Sequence, residues 1–137
     1  MTTQSKQNST QKLFDAWNYQ KKIVDARKNT KTIKERDILF LQIGENVGFE
    51  QNGKGEKFLR PVLVYKKFSN HLFLGIPLTS KLKEGRFYAE FSFKEKPSNA
   101  ILSQIRLFDS KRIEYFYGRI APEQFLNIKK KLIALLQ

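Results

Sequence analysis

The sequence predicts a mainly β domain, a small curved sheet or partly open barrel, with one helix before it and one at its end. Three observations predict this. From Asp37 onward, short apolar runs are separated by turn residues, the texture of strands. Before Lys28 and after Pro122, apolar residues instead recur three and four apart, the period of a helix. The chain has 137 residues, enough for one compact core.

In chain order, the polar residues 1–10 are expected to fray. A basic helix is predicted from about Gln11 to Lys28, with Phe14, Trp17, Lys21 and Val24 on one stripe and Leu13 and Ile23 beside it. Residues 29–34 read as a linker. Ile38 to Ile43 is a strand, and Gly44 to Leu59 is a loop carrying Gly44, Gly48, Gly53 and Gly55. Pro61 to Lys66 is a second strand with its proline at the start, where a missing amide is tolerated. Leu72 to Pro77 is a third strand. Phe87 to Phe93 alternates apolar and polar residues, as a half-buried strand does. Ala100 to Leu107 is a fifth, and Ile113 to Tyr117 a short sixth. Pro122 suits a helix start, and Phe125, Ile128, Leu132 and Leu135 form a core-facing stripe.

Twenty-six Lys and Arg stand against thirteen Asp and Glu, a net charge of +13. So strong an excess favours an anionic partner, nucleic acid first, through charge neutralisation and counterion release. An acidic protein or a merely solvated lysine-rich surface fits the charge alone. Residues 1–36 hold nine of the basic and three of the acidic side chains. There is no cysteine and one histidine, which excludes a disulfide framework and leaves few metal ligands. No apolar run suggests a signal peptide or membrane span, so a cytoplasmic location is expected.

Four motifs fall in order along the chain. Asp37-Ile38 opens a strand that closes at Gly44. Val47-Gly48-Phe49-Glu50-Gln51 precedes a Gly- and Lys-bearing stretch and then Arg60-Pro61-Val62-Leu63-Val64. Ile76-Pro77-Leu78-Thr79-Ser80 follows, and then Gln104-Ile105-Arg106 with Asp109 and Lys111-Arg112. Together they resemble the PemK/MazF toxins of type II toxin–antitoxin systems over residues 35–137. The resemblance implies an SH3-like, CcdB/PemK-type barrel, with residues 1–34 as an added basic arm. It also implies metal-independent, sequence-specific cleavage of single-stranded RNA or mRNA, without cofactors. The ribose 2′-hydroxyl would attack the adjacent phosphorus, leaving a 2′,3′-cyclic phosphate and a 5′-hydroxyl. A homodimer, neutralised by a cognate antitoxin, completes the implied picture.

On this resemblance Arg60 serves the scissile phosphate, for which a planar, permanently charged fork is suited. A surface arginine at a strand start is the plain alternative. Thr79 is the second catalytic candidate, its hydroxyl able to hold a phosphoryl oxygen or the 2′-hydroxyl. Thr79-Ser80 also describes an ordinary turn. Glu50 is a base, a reader of a base edge, or a solvated loop residue. Gln51, Ser80, Ser103, Gln104 and Arg106 are candidate substrate contacts, Arg106 for structure or RNA positioning rather than catalysis. Relatives often carry an acidic residue where Ser103 stands, and serine is a poor base at neutral pH. Glu50 then takes that role, or catalysis rests on charge stabilisation by Arg60, or cleavage is slow. A non-cleaving binding protein on the same scaffold, or one directed at gyrase as CcdB-type toxins are, stays open. His71, in Ser69-Asn70-His71, reads as a turn residue.

Overall fold

The computed structural model describes residues 12–28 and 32–137. The expected fraying of residues 1–10 lies outside them, as does part of the expected linker. Helix α1 spans Phe14–Asp25 and helix α2 spans Pro122–Leu136. Between them run seven strands: β1 Asp37–Gln42, β2 Leu59–Lys67, β3 Leu72–Thr79, β4 Tyr88–Phe93, β5 Lys96–Ile101, β6 Arg106–Asp109 and β7 Ile113–Arg119. Every pairing is antiparallel, in the order β4-β5-β3-β2-β1-β7, with β6 also on β3. The predicted class, a mainly β open sheet with two helices, is what is found.

Period-two alternation sends neighbouring residues of β1, β2 and β3 to two cores. Ile38, Leu63, Ile76 and Leu78 face one core with Ala89, Phe91, Ile128 and Leu132. Leu39, Leu41, Val62, Val64 and Phe73 face the other with Phe108 and Ile113. The first core is closed by α2, whose predicted stripe does bury: Ile128 and Leu132 fully, Phe125 and Leu135 in part. The second is closed by the sheet curling on itself. Gly75 permits this, because a Cβ there would lie 2.5 Å from Val62 Cγ1 and 2.9 Å from Phe108 Cδ2.

Several expectations need correction. The single strand from Ala100 to Leu107 is two strands, β5 and β6, separated by a 3-10 turn at Leu102–Gln104. The hairpin leading into β5 was hidden because its turn, Lys94-Glu95, contains no glycine although both residues have positive φ. Pro61 is the third residue of β2, not its first; the ladder to β3 begins only at Val62, so the proline sits where β2 has one paired neighbour. Ile33, placed in a linker, is fully buried in the second core. Of the α1 stripe, Trp17 and Val24 bury, while Leu13, Phe14 and Ile23 stay exposed.

Helix α1 packs on the barrel through specific contacts. Trp17 lies against Phe58, centroids 5.5 Å apart, and Arg112 sits over its ring at 5.8 Å. Arg27 donates to the carbonyls of Lys111 and Ile113 and to Gln42, and pairs with Glu114 at 3.0 Å. Lys12 donates to the carbonyls of Asn46 and Gly48, the second at 2.9 Å. At the other end of β1, Asp37 is buried and pairs with Arg119 at 2.8 Å.

Candidate active site

The site arises from a fork in the sheet. One edge of β3 is shared by two strands: β6 pairs Leu72–Gly75, and β5 pairs Leu78 and Thr79. Ile76 and Pro77 lie in the gap, which the chain crosses as the turn Leu102–Gln104. The loop between β1 and β2 folds over this region, and a cavity opens on each side of it.

The larger cavity, about 560 Å³, is lined by Arg60, Thr79, Ser80, Lys54, Lys94 and Lys96, with Phe93 and Tyr117 on its far wall. Among the described residues no carboxylate lines it. Arg60, opposite Leu41 on β2, is only 9% exposed. The plain alternative, an ordinary surface arginine, does not hold, because the structure buries Arg60 and fixes it. Its Nε donates to the Asn52 carbonyl at 2.7 Å and its Nη1 to the Leu78 carbonyl at 3.1 Å. Nη2 has no protein partner among the described residues, so part of the fork is left for a ligand. Burial pushes the guanidinium below the ordinary arginine value. Desolvating a cation in this way is costly, and an anionic ligand offsets that cost.

Thr79 closes β3 rather than sitting in a turn, and Ser80 begins the turn that follows. The Thr79 hydroxyl accepts from Lys81 N–H at 3.2 Å, which leaves its proton for a ligand. Opposite Thr79 on β5 stands Asn99, buried, donating from Nδ2 to the carbonyls of Lys81 and Lys83 at 3.2 and 3.0 Å. Asn99 thereby holds the turn after Thr79 in place.

The smaller cavity, about 370 Å³, gathers Glu50, Gln51, Ser103, Gln104 and Arg106 beside Pro77. Gln104 staples the loop to the fork, accepting from Gln51 N–H and donating to the Phe49 carbonyl, both at 3.4 Å. Asn46 shapes the same loop by donating to the carbonyls of Ile43 and Gln51 at 3.1 and 2.7 Å. Glu50 accepts from Val47 N–H at 3.1 Å. Arg106 lies over the Phe108 ring at 4.6 Å; desolvation lowers its pKa and the Glu50 carboxylate opposes that shift. The structure therefore brings Arg60, Thr79 and Ser80 together and places Glu50 with the amides and Arg106 next door.

Sequence reasoning passed over Lys54, Lys94, Lys96, Tyr117, Asn52 and Asn99. The three lysines carry no motif of their own and Tyr117 reads as a strand residue; only the approach of the β4–β5 hairpin to β7 brings them to one cavity. Asn52 acts through its backbone carbonyl, which carries no sequence signal. Among the described residues, no three of His, Asp and Glu gather as a metal site, and no helix is long and apolar enough to cross a membrane.

A small antiparallel barrel with a cavity lined by arginine and lysines defines the class of the domain. Residues 34–136 match the sequence model of the PemK-like, MazF-like toxins of type II toxin–antitoxin systems, and the chain belongs to that family. Among solved structures it is similar to MazF from Deinococcus radiodurans, with a TM-score of 0.64 and 21% identity over 77% of this chain and 97% of that one. It is likewise similar to a MazE–MazF complex from the same organism, with a TM-score of 0.59 and 18% identity over 77% and 96% of the two chains. A mycobacterial endoribonuclease in complex with its cognate antitoxin gives a TM-score of 0.58 and 10% identity over 77% and 95%. Comparison with curated proteins gives no match. The resemblance carried by the four motifs is thus confirmed at the level of family and fold.

Proposed function

We propose that the chain is an endoribonuclease toxin that cuts single-stranded RNA by 2′-hydroxyl attack, without a metal, and is neutralised by a cognate antitoxin. The observation that carries this reading is Arg60: a buried cation, pinned by two backbone carbonyls, with the rest of its fork open to a cavity of lysines. Such a group does not reorganise when charge develops on a phosphoryl oxygen, and that pre-orientation is the main source of catalytic stabilisation. Thr79 holds a phosphoryl oxygen or the 2′-hydroxyl beside it, and Ser80 contacts the substrate.

The sequence leaves Glu50 as a base, a reader of a base edge or a solvated loop residue. Its place beside Gln51, Gln104 and Arg106, in the neighbouring cavity, favours the second role. Those side chains and Ser103 then hold a flanking nucleotide and supply sequence preference, since amides and carboxylates can match base edges. Catalysis rests chiefly on charge stabilisation by Arg60 and Thr79. The mycobacterial complex and the Deinococcus MazE–MazF structure named above contain an antitoxin or MazE partner, which supports an antitoxin for this chain. A homodimer in the cytoplasm fits the same family.

The test is cleavage of a long RNA by purified protein in EDTA. Activity should persist, and Arg60→Ala should lower it by roughly two to three orders of magnitude, as removal of one charge-stabilising donor does. The product ends should be 2′,3′-cyclic phosphate and 5′-hydroxyl. Activity restored only by added magnesium defeats the metal-independent mechanism. Binding of RNA with no cleavage under any condition favours the non-cleaving alternative.

A further inference from the structure

Arg60 and Thr79 account for one side of their cavity and leave its far wall unassigned. That wall is Phe93, Lys94 and Lys96 of the β4–β5 hairpin and Tyr117 of β7. The hairpin turn is Lys94-Glu95, with φ of 50° and 62°. Two successive non-glycine residues in the left-handed region are uncommon; tight hairpins usually place Asn-Gly there. Here the strained turn carries a lysine over an aromatic ring. Lys94 Nζ lies 4.1 Å from the Tyr117 ring centroid and 5.5 Å from that of Phe93.

Tyr117 is braced on two sides yet open to the cavity. Phe93 tilts against it at 5.5 Å and Phe40 meets it edge-on at 5.1 Å. The brace depends on Gly118, because a Cβ there would fall 2.3 Å from Phe93 Cζ. Even so, Tyr117 is 40% exposed. A fixed, half-exposed ring next to cations, in the cavity of a buried arginine, has the composition of a nucleotide subsite: a π-face for a base and charges for its phosphate.

We propose that Tyr117 is the stacking platform for the base adjoining the phosphate held by Arg60, and that Lys94 and Lys96 take the next phosphate along the strand. This rests on the reading of the cavity as a single-stranded RNA site. An exposed lysine holds a ring more weakly than a stacked base does, so an entering base displaces Lys94 from the ring and leaves its ammonium for the phosphate. Every base has a π-face, so this subsite adds affinity without reading sequence; selection is left to the Glu50–Gln104 cavity.

The test uses the full chain and two RNAs. A fluorescent, uncleavable 2′-O-methyl RNA pool of random sequence reports binding, and unmodified RNA reports cleavage. Tyr117→Ala should weaken pool binding roughly tenfold and raise KM with little change in kcat, while Tyr117→Phe stays within about twofold of wild type. Lys94→Asn, which suits the left-handed turn, should reduce the salt dependence of binding by about one phosphate contact. If Tyr117→Ala fails to fold, Tyr117→Leu serves, and should show the same loss because it keeps bulk without a π-face. Wild-type affinity in Tyr117→Ala or Tyr117→Leu overturns the proposal. So does an equal loss in Tyr117→Phe, which would implicate the hydroxyl, or a change of mass in light scattering with unchanged affinity, which would make Tyr117 a self-association contact. Tyr117-dependent pool binding by a protein that cuts no RNA would sink the nuclease reading and keep the subsite; cleavage with Tyr117-insensitive binding would do the reverse.

Discussion

Gly44→Ala isolates the docking of α1 on the barrel. Gly44 has φ of +82°, and an added Cβ would lie 2.0 Å from Trp17 Cε2 and 2.4 Å from both Cδ2 and Cζ2. The methyl would land on the face of the indole, directly over Cε2 and far inside van der Waals contact, so the ring must leave its place. The backbone cost of a left-handed alanine is about 1–2 kcal/mol. Displacing Trp17, which is 6% exposed, adds up to about 3–5 kcal/mol, the usual cost of losing a large aromatic from a packed site. A helix of 12 residues does not persist unsupported in water, so α1 should detach and unwind before the barrel unfolds. Trp17 is the only tryptophan, so its emission should shift to the red and become quenchable, with a matching loss of helical circular dichroism. In a Trp17→Ala background, Gly44→Ala should cost only the backbone part. The double-mutant cycle should then show coupling of at least about 2 kcal/mol, well beyond the usual scatter. An additive cycle, or a blue-shifted Trp17 in Gly44→Ala, would refute the docking geometry. Because Lys12 grips the carbonyls of Asn46 and Gly48, detachment should also raise KM by loosening the loop that carries Glu50 and Gln51.

Two further outcomes are expected. Glu50→Gln should alter cleavage-site preference and KM more than the rate of the chemical step, and Ser103→Ala should change little; a loss of kcat in Glu50→Gln as large as that in Arg60→Ala would make Glu50 the base after all. Glu114, held by a hydrogen bond from Lys57 first and also drawn by Arg27, lies below its ordinary carboxylate value although burial opposes this. A depressed folded-state value means that its support is present above the unfolded carboxylate range and is lost as pH falls through the folded value. Acid titration should therefore loosen α1, followed by Trp17 emission, and Glu114→Gln should abolish that step and show the loosened signal already at neutral pH.

Much of the fold was legible because burial imposes periods on sequence. Strands β1 to β3 bury both faces and read as apolar runs such as Ile38–Ile43, while β4 and helix α2 bury one face and show alternation in Phe87–Phe93 and three-four spacing in Phe125–Leu135. The β4–β5 hairpin escaped because Lys94-Glu95 takes up a backbone conformation that its residue types do not announce. Ile33 escaped because a lone apolar residue between polar ones has no period. In α1, spacing shows which residues share a face, but only the barrel decides that Trp17 and Val24 bury while Phe14 does not.

The sequence by itself determined the strong basic charge, the mainly β class and the four motifs that define the family, since charge, local periodicity and motif order are properties of the chain. The tertiary structure alone decided the composition of the site. Arg60 is held by the carbonyls of Asn52 and Leu78, from a loop and from the neighbouring strand, and backbone acceptors are identical in every residue. The fork of β3 separates Glu50 from Arg60, and the closure of the sheet brings Lys94 and Tyr117 to the same cavity. Such contacts join residues distant along the chain, and nothing in the local sequence of either partner records the other.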